Sequence, residues 1–470
     1  MNQTNHIAFD LGASSGRMVL GEFHKNNIQL NEIYRFANTP VEMNGILYWD
    51  FPKLYQEIKN GMKILANENI HVDSVSVDTW GVDYGYLDKN GDLLMLPRNY
   101  RNEQKEKYEN EIYKLLSKRE LFEETGVYPT TINSIVQIYA DLKRYPWLRE
   151  AAVTLLFMPD LFNYFLTKEK ATNYSIASTS GLLNKDHEWS RKVIDKLNFP
   201  EHWFKQEIEN VKVLGEVKNS EFNEEVYKNT KVITGAGHDT AASLLVTKED
   251  SVFLSCGTWS IMGVKIQEPI TKKKAFELKL TNEGTVDGKT KLIKNINGLW
   301  ILQELQRYWA ENGVMYSHEK LVEKAKLSSY NETIDVDQKE FMNKCNMHKT
   351  IENHFIKQDI IPPSSVGDFV RVVINSLAEK YKEVITNLEK VVQKQFSNIH
   401  IVGGGIQNGL LCELTAQKTK REILTGPIEA SSFGNILSQL IALNLIEYTD
   451  IPNIISNSIE MKKFNNIETL

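Results

Sequence analysis

Two turns in the sequence combine glycine with hydroxyl residues, and both could bind phosphate. Gly12-Ala-Ser-Ser-Gly16 follows Asp10 and lies between two apolar runs, as does Ser255-Cys-Gly-Thr258. A concave turn that exposes consecutive backbone N–H groups binds an anion without needing a helix N-terminus. Asp10 could then hold a metal ion or its water beside the first turn. Two ordinary hairpins and a solvated aspartate would give the same pattern, so the residues alone leave both interpretations open.

Two better-known phosphate-binding patterns fit this sequence poorly. The dinucleotide fingerprint requires G-x-G-x-x-G at the start of a helix. Here the glycine spacing differs, and the run Met18-Val19-Leu20 after Gly16 predicts a strand. A near match to the P-loop pattern at Gly284–Thr290 is one residue short and lies in a polar hairpin. That segment is predicted to be a surface turn.

Asp239 is the best candidate for acid–base chemistry. It follows the apolar run Lys231–Thr234 and a short glycine-containing turn. A positioned carboxylate can accept a proton from an attacking hydroxyl. An aspartate in this place can also cap a helix that begins at Thr240, so the two roles stay open and are compatible.

The elements that would position these residues are readable from hydrophobic periodicity. Strands are predicted at Ile7–Phe9, Arg17–Phe23 and Ile28–Phe36. Helical spacing is found over Phe51–Ala66 and in a long segment that starts at Val370. The alternation of strands and helices predicts an α/β fold.

The length and an internal similarity predict two domains. The chain has 470 residues, more than one hydrophobic core usually serves. A strand, a glycine-containing turn and a second strand open at residue 7 and again at residue 251. Two similar hairpins, one in each half, indicate a boundary near residue 245. The predicted domains are residues 1–245 and 246–470.

Composition excludes several classes of function. A net charge of −6 argues against general binding to nucleic acid or to a membrane surface. No apolar run reaches the ~18 residues of a membrane span, and the N-terminal segment lacks the features of a secretory signal. Three separated cysteines are typical of a reducing compartment. We therefore expect a cytoplasmic protein without a disulfide framework.

Several motifs together resemble the FGGY carbohydrate kinases of the actin/hexokinase-like ATPase superfamily, which have two ribonuclease H-like domains around a central cleft. They occur in the family's order over nearly the whole chain. The matching segments are DLGASSGR at 10–17, VDTWGVDYGYLD at 77–88, MPD at 158–160, GHDTAAS at 237–243, SCGTWSIMG at 255–263, TNEG at 281–284, NINGLWILQ at 295–303, IVGGGIQNGLL at 401–411 and GPIEASSFGNI at 426–436.

The resemblance implies that domain 1–245 is on the sugar side and domain 246–470 on the nucleotide side, and it implies a set of site residues. Asp239 is the implied catalytic base, and Asp10 is the implied contact to the magnesium shell. The implied sugar-binding residues are Gly81, Trp80, Asp83, His238, Asp239, Thr240 and Asn295. The implied ATP-binding residues are Ala13, Ser14, Ser15, Gly16, Arg17, Thr258, Gln303, Gly403, Gly404 and Gly405.

Some of these assignments have a purely structural alternative. Trp80 could belong to the core, Gln303 could be an exposed helix residue, and Gly403–Gly405 could form a simple turn between strand and helix. The sequence also departs from the family at one point, since Arg101 is followed by Asn102 where the family has Asp. The lost charge weakens any substrate role at position 102.

The implied activity is the ATP- and Mg²⁺-dependent phosphorylation of a ketose. The variants GASSGR, TWGVD, GHDT and GPIEAS are most similar to members that convert L-rhamnulose to L-rhamnulose 1-phosphate in L-rhamnose catabolism. Another ketose of the family, such as L-fuculose or a pentulose, is the alternative, and a non-catalytic sugar-sensing regulator is a remote one. A monomer or homodimer is expected, with no nucleic-acid or membrane partner.

Overall fold

A computed structural model describes residues 3–102, 106–218, 225–342 and 345–465 of the chain. The strands in these residues are β1 (Thr4–Leu11), β2 (Ser15–His24), β3 (Asn27–Ala37), β4 (Val41–Met43), β5 (Ile46–Tyr48), β6 (Ser74–Thr79), β7 (Tyr84–Leu87), β8 (Thr154–Phe157), β9 (Thr172–Asn173), β10 (Ile208–Glu209), β11 (Lys212–Glu216), β12 (Lys231–Thr234), β13 (Val252–Cys256), β14 (Trp259–Ile266), β15 (Thr281–Gly284), β16 (Thr290–Asn297), β17 (Asn398–Val402), β18 (Glu422–Thr425) and β19 (Lys462–Phe464).

The α-helices of the same residues are α1 (Phe51–Asn67), α2 (Glu106–Leu115), α3 (Lys118–Thr125), α4 (Ser134–Arg144), α5 (Leu148–Ala151), α6 (Met158–Thr167), α7 (Tyr174–Ala177), α8 (Arg191–Lys196), α9 (Asp239–Leu245), α10 (Lys273–Glu277), α11 (Trp300–Glu311), α12 (His318–Leu327), α13 (Lys339–Met342), α14 (Met347–Ile356), α15 (Val366–Val392), α16 (Gly409–Thr419), α17 (Ala430–Ala442) and α18 (Ile451–Ser458). Short 3₁₀ turns occupy Glu201–Phe204, Glu225–Tyr227, Gly404–Gln407 and Tyr448–Asp450. The predicted α/β class is confirmed.

The chain forms two compact units, and both are discontinuous in sequence. The first unit comprises Met1–Val246, Lys265–Leu292 and Ala430–Ile459. The second comprises Thr247–Val264, Ile293–Glu429 and Glu460–Leu470. The domain boundary near residue 245 stays a prediction.

The first unit is built on a six-stranded sheet in the order β11-β12-β6-β1-β2-β3. Strand β1 is antiparallel to β2 and parallel to β6. One face of β1 and β2 meets α1, where Gly61 lies against Met18. The other face meets α17, where Ile436 lies against Gly21 and Gln439 donates to the Ile7 carbonyl at 2.8 Å. Cover on both faces explains why β1 reads as one apolar run that ends in an acid.

The second unit contains the strand order β14-β13-β17-β18-β19. Strand β13 is antiparallel to β14 and parallel to β17. The predicted long helix is confirmed as α15, which begins with a capping box between Ser365 and Asp368. Its side chain Tyr381 is fully buried and lies 2.8 Å from the Ser260 hydroxyl of β14. The predicted face of this helix is therefore a core face.

Both units share a local arrangement of an antiparallel hairpin beside a parallel strand. In the first unit the hairpin is β1–β2 beside β6, and in the second it is β13–β14 beside β17. The prediction that a strand follows Gly16 is confirmed by β2. Among the described helices, none is long and apolar enough to cross a membrane.

Candidate active site

Asp10 lies near the end of β1 in the first unit and is held by several donors. Its Oδ2 accepts hydrogen bonds from Arg17 Nε at 3.0 Å and Arg17 Nη2 at 2.6 Å. The Ser432 hydroxyl donates to the same oxygen at 3.1 Å, and the Ser431 hydroxyl also donates to it. These contacts fix the Asp10 carboxylate near the carboxyl end of β1 and give Arg17 a structural partner.

Asp78 adds a second carboxylate near the carboxyl end of the neighbouring strand, and it was not among the predicted site residues. It pairs in register with Asp10 across the parallel strands β1 and β6 and is fully buried. Its Oδ2 accepts from Asn435 Nδ2 at 2.6 Å, while its Oδ1 has no hydrogen-bond partner among the described residues. Burial, and next the charge of Asp10, raise the pKa of Asp78 well above its usual value. An acid at the end of a short apolar strand was the available sequence signal.

Asp239 is the first residue of α9, and His238 is the N-cap residue. The alternative in which Asp239 caps a helix beginning at Thr240 is therefore wrong, because the helix begins one residue earlier. The side chain is 32% exposed. Burial, and next the charge of Asp10, raise its pKa to about 7, although Lys291 and the Thr240 backbone oppose the shift. A carboxylate of this pKa is matched to proton transfer near neutral pH.

Gly81 and His238, both predicted to contact sugar, lie next to each other in the first unit. A Cβ at Gly81 would stand 3.4 Å from His238 Nε2 and 3.3 Å from Thr179 Oγ1. Thr179 Oγ1 also accepts from the Val82 N–H at 3.1 Å, and Val82 has a left-handed φ of 69°. The strained turn thus places Gly81 beside the imidazole and leaves little room for a side chain.

Trp80 and Asp83 form a buried hydrogen-bonded group below this turn. Asp83 Oδ2 accepts from Trp49 Nε1 at 2.6 Å, from Trp80 Nε1 at 3.0 Å and from the Tyr100 N–H at 3.2 Å. Gln137 Nε2 donates to the other oxygen at 2.8 Å. The rings of Trp49 and Trp80 are 4.0 Å apart. The structure thus gives Trp80 a ring-packing role and Asp83 a role as a buried hydrogen-bond acceptor. Contact of Trp80 or Asp83 with sugar stays a prediction.

Lys291 and Glu283 contact the His238–Thr240 segment, although neither was predicted as a site residue. Lys291 is fully buried on β16, and its Nζ lies 2.7 Å from Thr240 Oγ1 and 3.3 Å from His238 Nδ1. Glu283 Oε2 lies 3.2 Å from Lys291 Nζ. Burial, and next the charge of Lys291, hold the pKa of His238 well below its usual value. Only the TNEG motif pointed toward Glu283, and Lys291 had no sequence signal.

Of the predicted ATP residues of the first unit, Ala13 and Ser14 lie in the turn between β1 and β2, and Ser15, Gly16 and Arg17 are the first residues of β2. The turn is closed by Gly12 N–H donating to the Ser15 carbonyl at 2.9 Å. Asn38 braces it by donating from its backbone to the Ser14 carbonyl and from its side chain to the Gly12 carbonyl, at 3.0 and 2.8 Å. Ser14 itself is exposed.

The predicted ATP residues of the second unit also lie close to one another. Thr258 and Gln303 are exposed and exchange hydrogen bonds of 3.2 Å. Gly403 has a φ of 82°, and a Cβ there would meet the Cys256 carbonyl at 3.2 Å. No described atom lies within 4 Å of a Cβ built on Gly404. Thr258, Gln303 and Gly404 are exposed, whereas Gly405 is buried, and the contact of these residues with a nucleotide stays a prediction.

Two predicted positions remain to be placed. Asn295 lies exposed on β16 within the second unit, and its contact with sugar stays a prediction. Asn102 is buried and exchanges hydrogen bonds with the Leu47 backbone, accepting from its N–H and donating to its carbonyl, both at 2.8 Å. It also donates to the Asn99 carbonyl at 2.8 Å. The residue that departs from the family pattern therefore has a structural role here.

Two family models divide the chain between them. The N-terminal domain of the FGGY family of carbohydrate kinases matches residues 6–246, and its C-terminal domain matches residues 252–443. The chain belongs to the FGGY family of carbohydrate kinases. These two matches confirm the family resemblance that the motifs of this FGGY kinase indicated.

Among curated proteins, several rhamnulokinases are similar to this chain over nearly its full length. The FGGY kinase is 36% identical to a rhamnulokinase of Halalkalibacterium halodurans, over 97% of this chain and 98% of the relative. It is 33% identical to a rhamnulokinase of Bacteroides thetaiotaomicron, over 98% and 96% of the two chains. A rhamnulokinase of Oceanobacillus iheyensis is 32% identical over 95% of each chain.

Solved structures show the fold of the FGGY kinase. A gluconate kinase from Lactobacillus acidophilus matches with a TM-score of 0.80 and 15% identity, over 99% of this chain and 94% of that one. A ligand-bound xylulose kinase from the same organism matches with a TM-score of 0.81 and 15% identity, over 98% and 94%. The predicted actin/hexokinase-like architecture is confirmed.

A preformed metal cage is absent from the part of the FGGY kinase that the structure describes. No group of three His, Cys, Asp or Glu residues there could hold a metal ion. Mg²⁺ usually keeps several waters and binds through one or two carboxylates together with substrate phosphates. The neighbouring carboxylates of Asp10 and Asp78, with the unpartnered Asp78 Oδ1, fit that mode of binding.

Proposed function

We propose that this carbohydrate kinase transfers the γ-phosphoryl group of ATP to O1 of L-rhamnulose, yielding L-rhamnulose 1-phosphate in L-rhamnose catabolism. The sugar is suggested by the curated relatives, which are rhamnulokinases over nearly their full length. The observation that carries the chemistry is the juxtaposition of Gly81, His238 and Asp239 in the first unit. These residues combine a backbone without a side chain at Gly81, a neutral imidazole and a carboxylate that can exchange a proton near neutral pH.

Asp239 acts as the general base in this proposal. As the sugar hydroxyl oxygen attacks the γ-phosphorus, its proton passes to the Asp239 carboxylate. Such proton acceptance contributes about 10²–10⁴ to the rate of comparable reactions. The pKa of about 7 keeps a large share of the carboxylate ionised at neutral pH while leaving it basic enough to take the proton.

Phosphate binding is assigned to backbone and hydroxyl groups rather than to the Arg17 side chain. Arg17 donates two hydrogen bonds to Asp10, which supports a role in holding the carboxylate. The backbone N–H groups of Ala13 to Gly16 and the Thr258 hydroxyl are the proposed phosphate donors. The expectation that both turns bind the same nucleotide stays a prediction.

Mg²⁺ would be held at Asp10 and Asp78, in part through water. Bound there with ATP, the ion would neutralise phosphate charge, which phosphoryl transfer generally requires. The protein's own contribution is the fixed orientation of Asp10, set by Arg17 and by the hydroxyls of Ser431 and Ser432.

A panel of ketoses tests the proposed substrate. ADP release would be measured with purified protein, ATP and Mg²⁺ against L-rhamnulose, L-fuculose, D-xylulose and L-ribulose, and ³¹P and ¹³C spectra would identify the phosphorylated oxygen. We expect the highest kcat/KM for L-rhamnulose and a phosphate on O1. Strong turnover of another ketose beside weak turnover of L-rhamnulose would overturn the substrate while leaving the kinase chemistry intact.

Three further proposals concern the domain bounds, the location and the oligomeric state. We propose domains of residues 1–245 and 246–470, supported by the family matches that end at 246 and begin at 252. We also propose a cytoplasmic location, supported by the three free cysteines, and a monomer or homodimer, which size-exclusion chromatography with light scattering would determine.

A further inference from the structure

A buried lysine lies beside the segment that carries the proposed base, and it has no role in the proposed reaction. The side chain of Lys291 is fully buried, which is rare for lysine unless it is paired. Its Nζ has three polar neighbours, Thr240 Oγ1 at 2.7 Å, Glu283 Oε2 at 3.2 Å and His238 Nδ1 at 3.3 Å. Two of these neighbours, His238 and Thr240, directly precede and follow Asp239 in sequence.

The chemistry of these groups restricts the histidine tautomer. A lysine ammonium group has three donors and no acceptor, so at His238 Nδ1 it can only donate. This contact favours a lone pair on Nδ1, which places the proton of the neutral ring on Nε2. The Thr240 Oγ1 atom lies 3.1 Å from Nδ1 and 3.2 Å from Nε2, so its hydroxyl can bond to either nitrogen. The Nε2 atom lies 3.3 Å from Asp239 Oδ1 and beside the backbone of Gly81. The N–H is thus presented where sugar and base are proposed to meet.

Glu283 supplies the counter-charge that keeps Lys291 in place. Its Oε2 lies 3.2 Å from Lys291 Nζ and 3.5 Å from His238 Nδ1. Burial lowers the pKa of Lys291, and Glu283 and Asp239 oppose that shift. A buried charge whose partner is removed is strongly destabilising. A variant that removes the charge of Lys291 must therefore also remove the charge of Glu283.

We infer that Lys291, paired with Glu283, is a positioning residue that holds His238 in its Nε2–H tautomer and orients the Thr240 hydroxyl for the acceptor sugar. The inference rests on the proposed function only in naming the sugar as the group that receives the Nε2–H. The tautomer and its dependence on Lys291 are properties of the protein alone.

The kinetic test uses the charge-neutral pair Lys291→Met with Glu283→Gln in one chain. We expect kcat/KM for L-rhamnulose to fall about 100-fold, the usual cost of a displaced positioning group, with an unchanged KM for ATP. Lys289→Met is the matched control, because Lys289 pairs with Asp287 away from His238, and it should retain normal rates. Lys291→Arg with Glu283 intact should recover part of the loss, because Arg retains the charge and donors. An unchanged kcat/KM in the double variant would overturn the inference.

The tautomer is read directly from ¹⁵N shifts of the imidazole nitrogens, with His238→Gln to assign the signals. We expect Nε2–H in the wild-type protein and a shift toward Nδ1–H, or a mixture, in the double variant. An Nδ1–H tautomer in the wild-type protein, or an identical one in the double variant, would refute the role of Lys291. This measurement needs no sugar, so a kinase that rejected L-rhamnulose would refute only the substrate.

Discussion

Replacing Asp239 with Asn removes the proposed proton acceptor while keeping the size and position of the side chain. Asn cannot take the hydroxyl proton, and loss of a general base costs about 10²–10⁴ in rate. Its charge is also lost next to the transferring group. We therefore expect kcat to fall roughly 10³-fold or more. KM for ATP should be unchanged, because the exposed Thr258–Gln303 group does not involve position 239.

The same substitution should not destabilise the protein, and the sign follows from the pKa. Asp239 has its pKa raised from 3.8 to about 7 in the folded protein. Its ionisation therefore opposes folding progressively as the pH rises from about 4 to about 7. Asn carries no such penalty, so the thermal midpoint at pH 8 should be equal to or higher than that of the wild-type protein.

The assay couples ADP release to NADH oxidation from pH 5.5 to 8.5, with Asp195→Asn on the exposed side of α8 as the matched control. For the wild-type enzyme, kcat/KM should rise about tenfold per pH unit below the pKa of about 7 and level off above it. Near-normal turnover of Asp239→Asn, with normal stability, would show that Asp239 is not the base. A pH-independent wild-type profile would contradict the proposed titration.

Three further substitutions test separate parts of the site. Gly404→Val should raise KM for ATP at least about tenfold, because its side chain would fill the open space beside the turn. The control Gly409→Ala, also in open space, should leave KM for ATP unchanged. Equal KM values for the two variants would contradict a place for Gly404 in the nucleotide site. Gly81→Ala should raise KM for the ketose about tenfold without affecting ATP, because its Cβ would stand 3.4 Å from His238 Nε2, and a normal KM would place the sugar elsewhere. Asp83→Asn should lower the free energy of unfolding in urea by at least about 2 kcal/mol, because a buried carboxylate that accepts from two indole N–H groups is lost; unchanged unfolding would contradict that packing role.

Much of the local structure was predictable because it depends on residues close in sequence. The strand after Gly16 follows from the β-branched and apolar run at Met18–Leu20, and β2 confirms it. Helix α1 follows from an apolar spacing of three and four residues, and the structure begins it at Phe51 as predicted. The start of α9 was misplaced by one residue, because local signals do not distinguish an N-cap aspartate from one in the first turn.

The composition of the site was less predictable because its parts come from distant segments. Asp78 joins Asp10 only because β1 and β6 pair in register, and no local pattern specifies that pairing. Asp83 was predicted as a sugar ligand from its motif, yet its environment of Trp49, Trp80 and Gln137 became visible only in the folded chain.

The sequence by itself determined the family, the order of the motifs and the identity of the proposed base, because short motifs and periodicity record these directly. Tertiary structure alone decided how the base is tuned. The pKa of Asp239 depends on burial, on Asp10 and on Lys291, which lie far from it in sequence. Desolvation and the interaction between charges depend on distance in space. The residues of the first glycine turn thus predict a hairpin that could bind phosphate, while the hydrogen bonds of Arg17 to Asp10 became visible only in the folded chain.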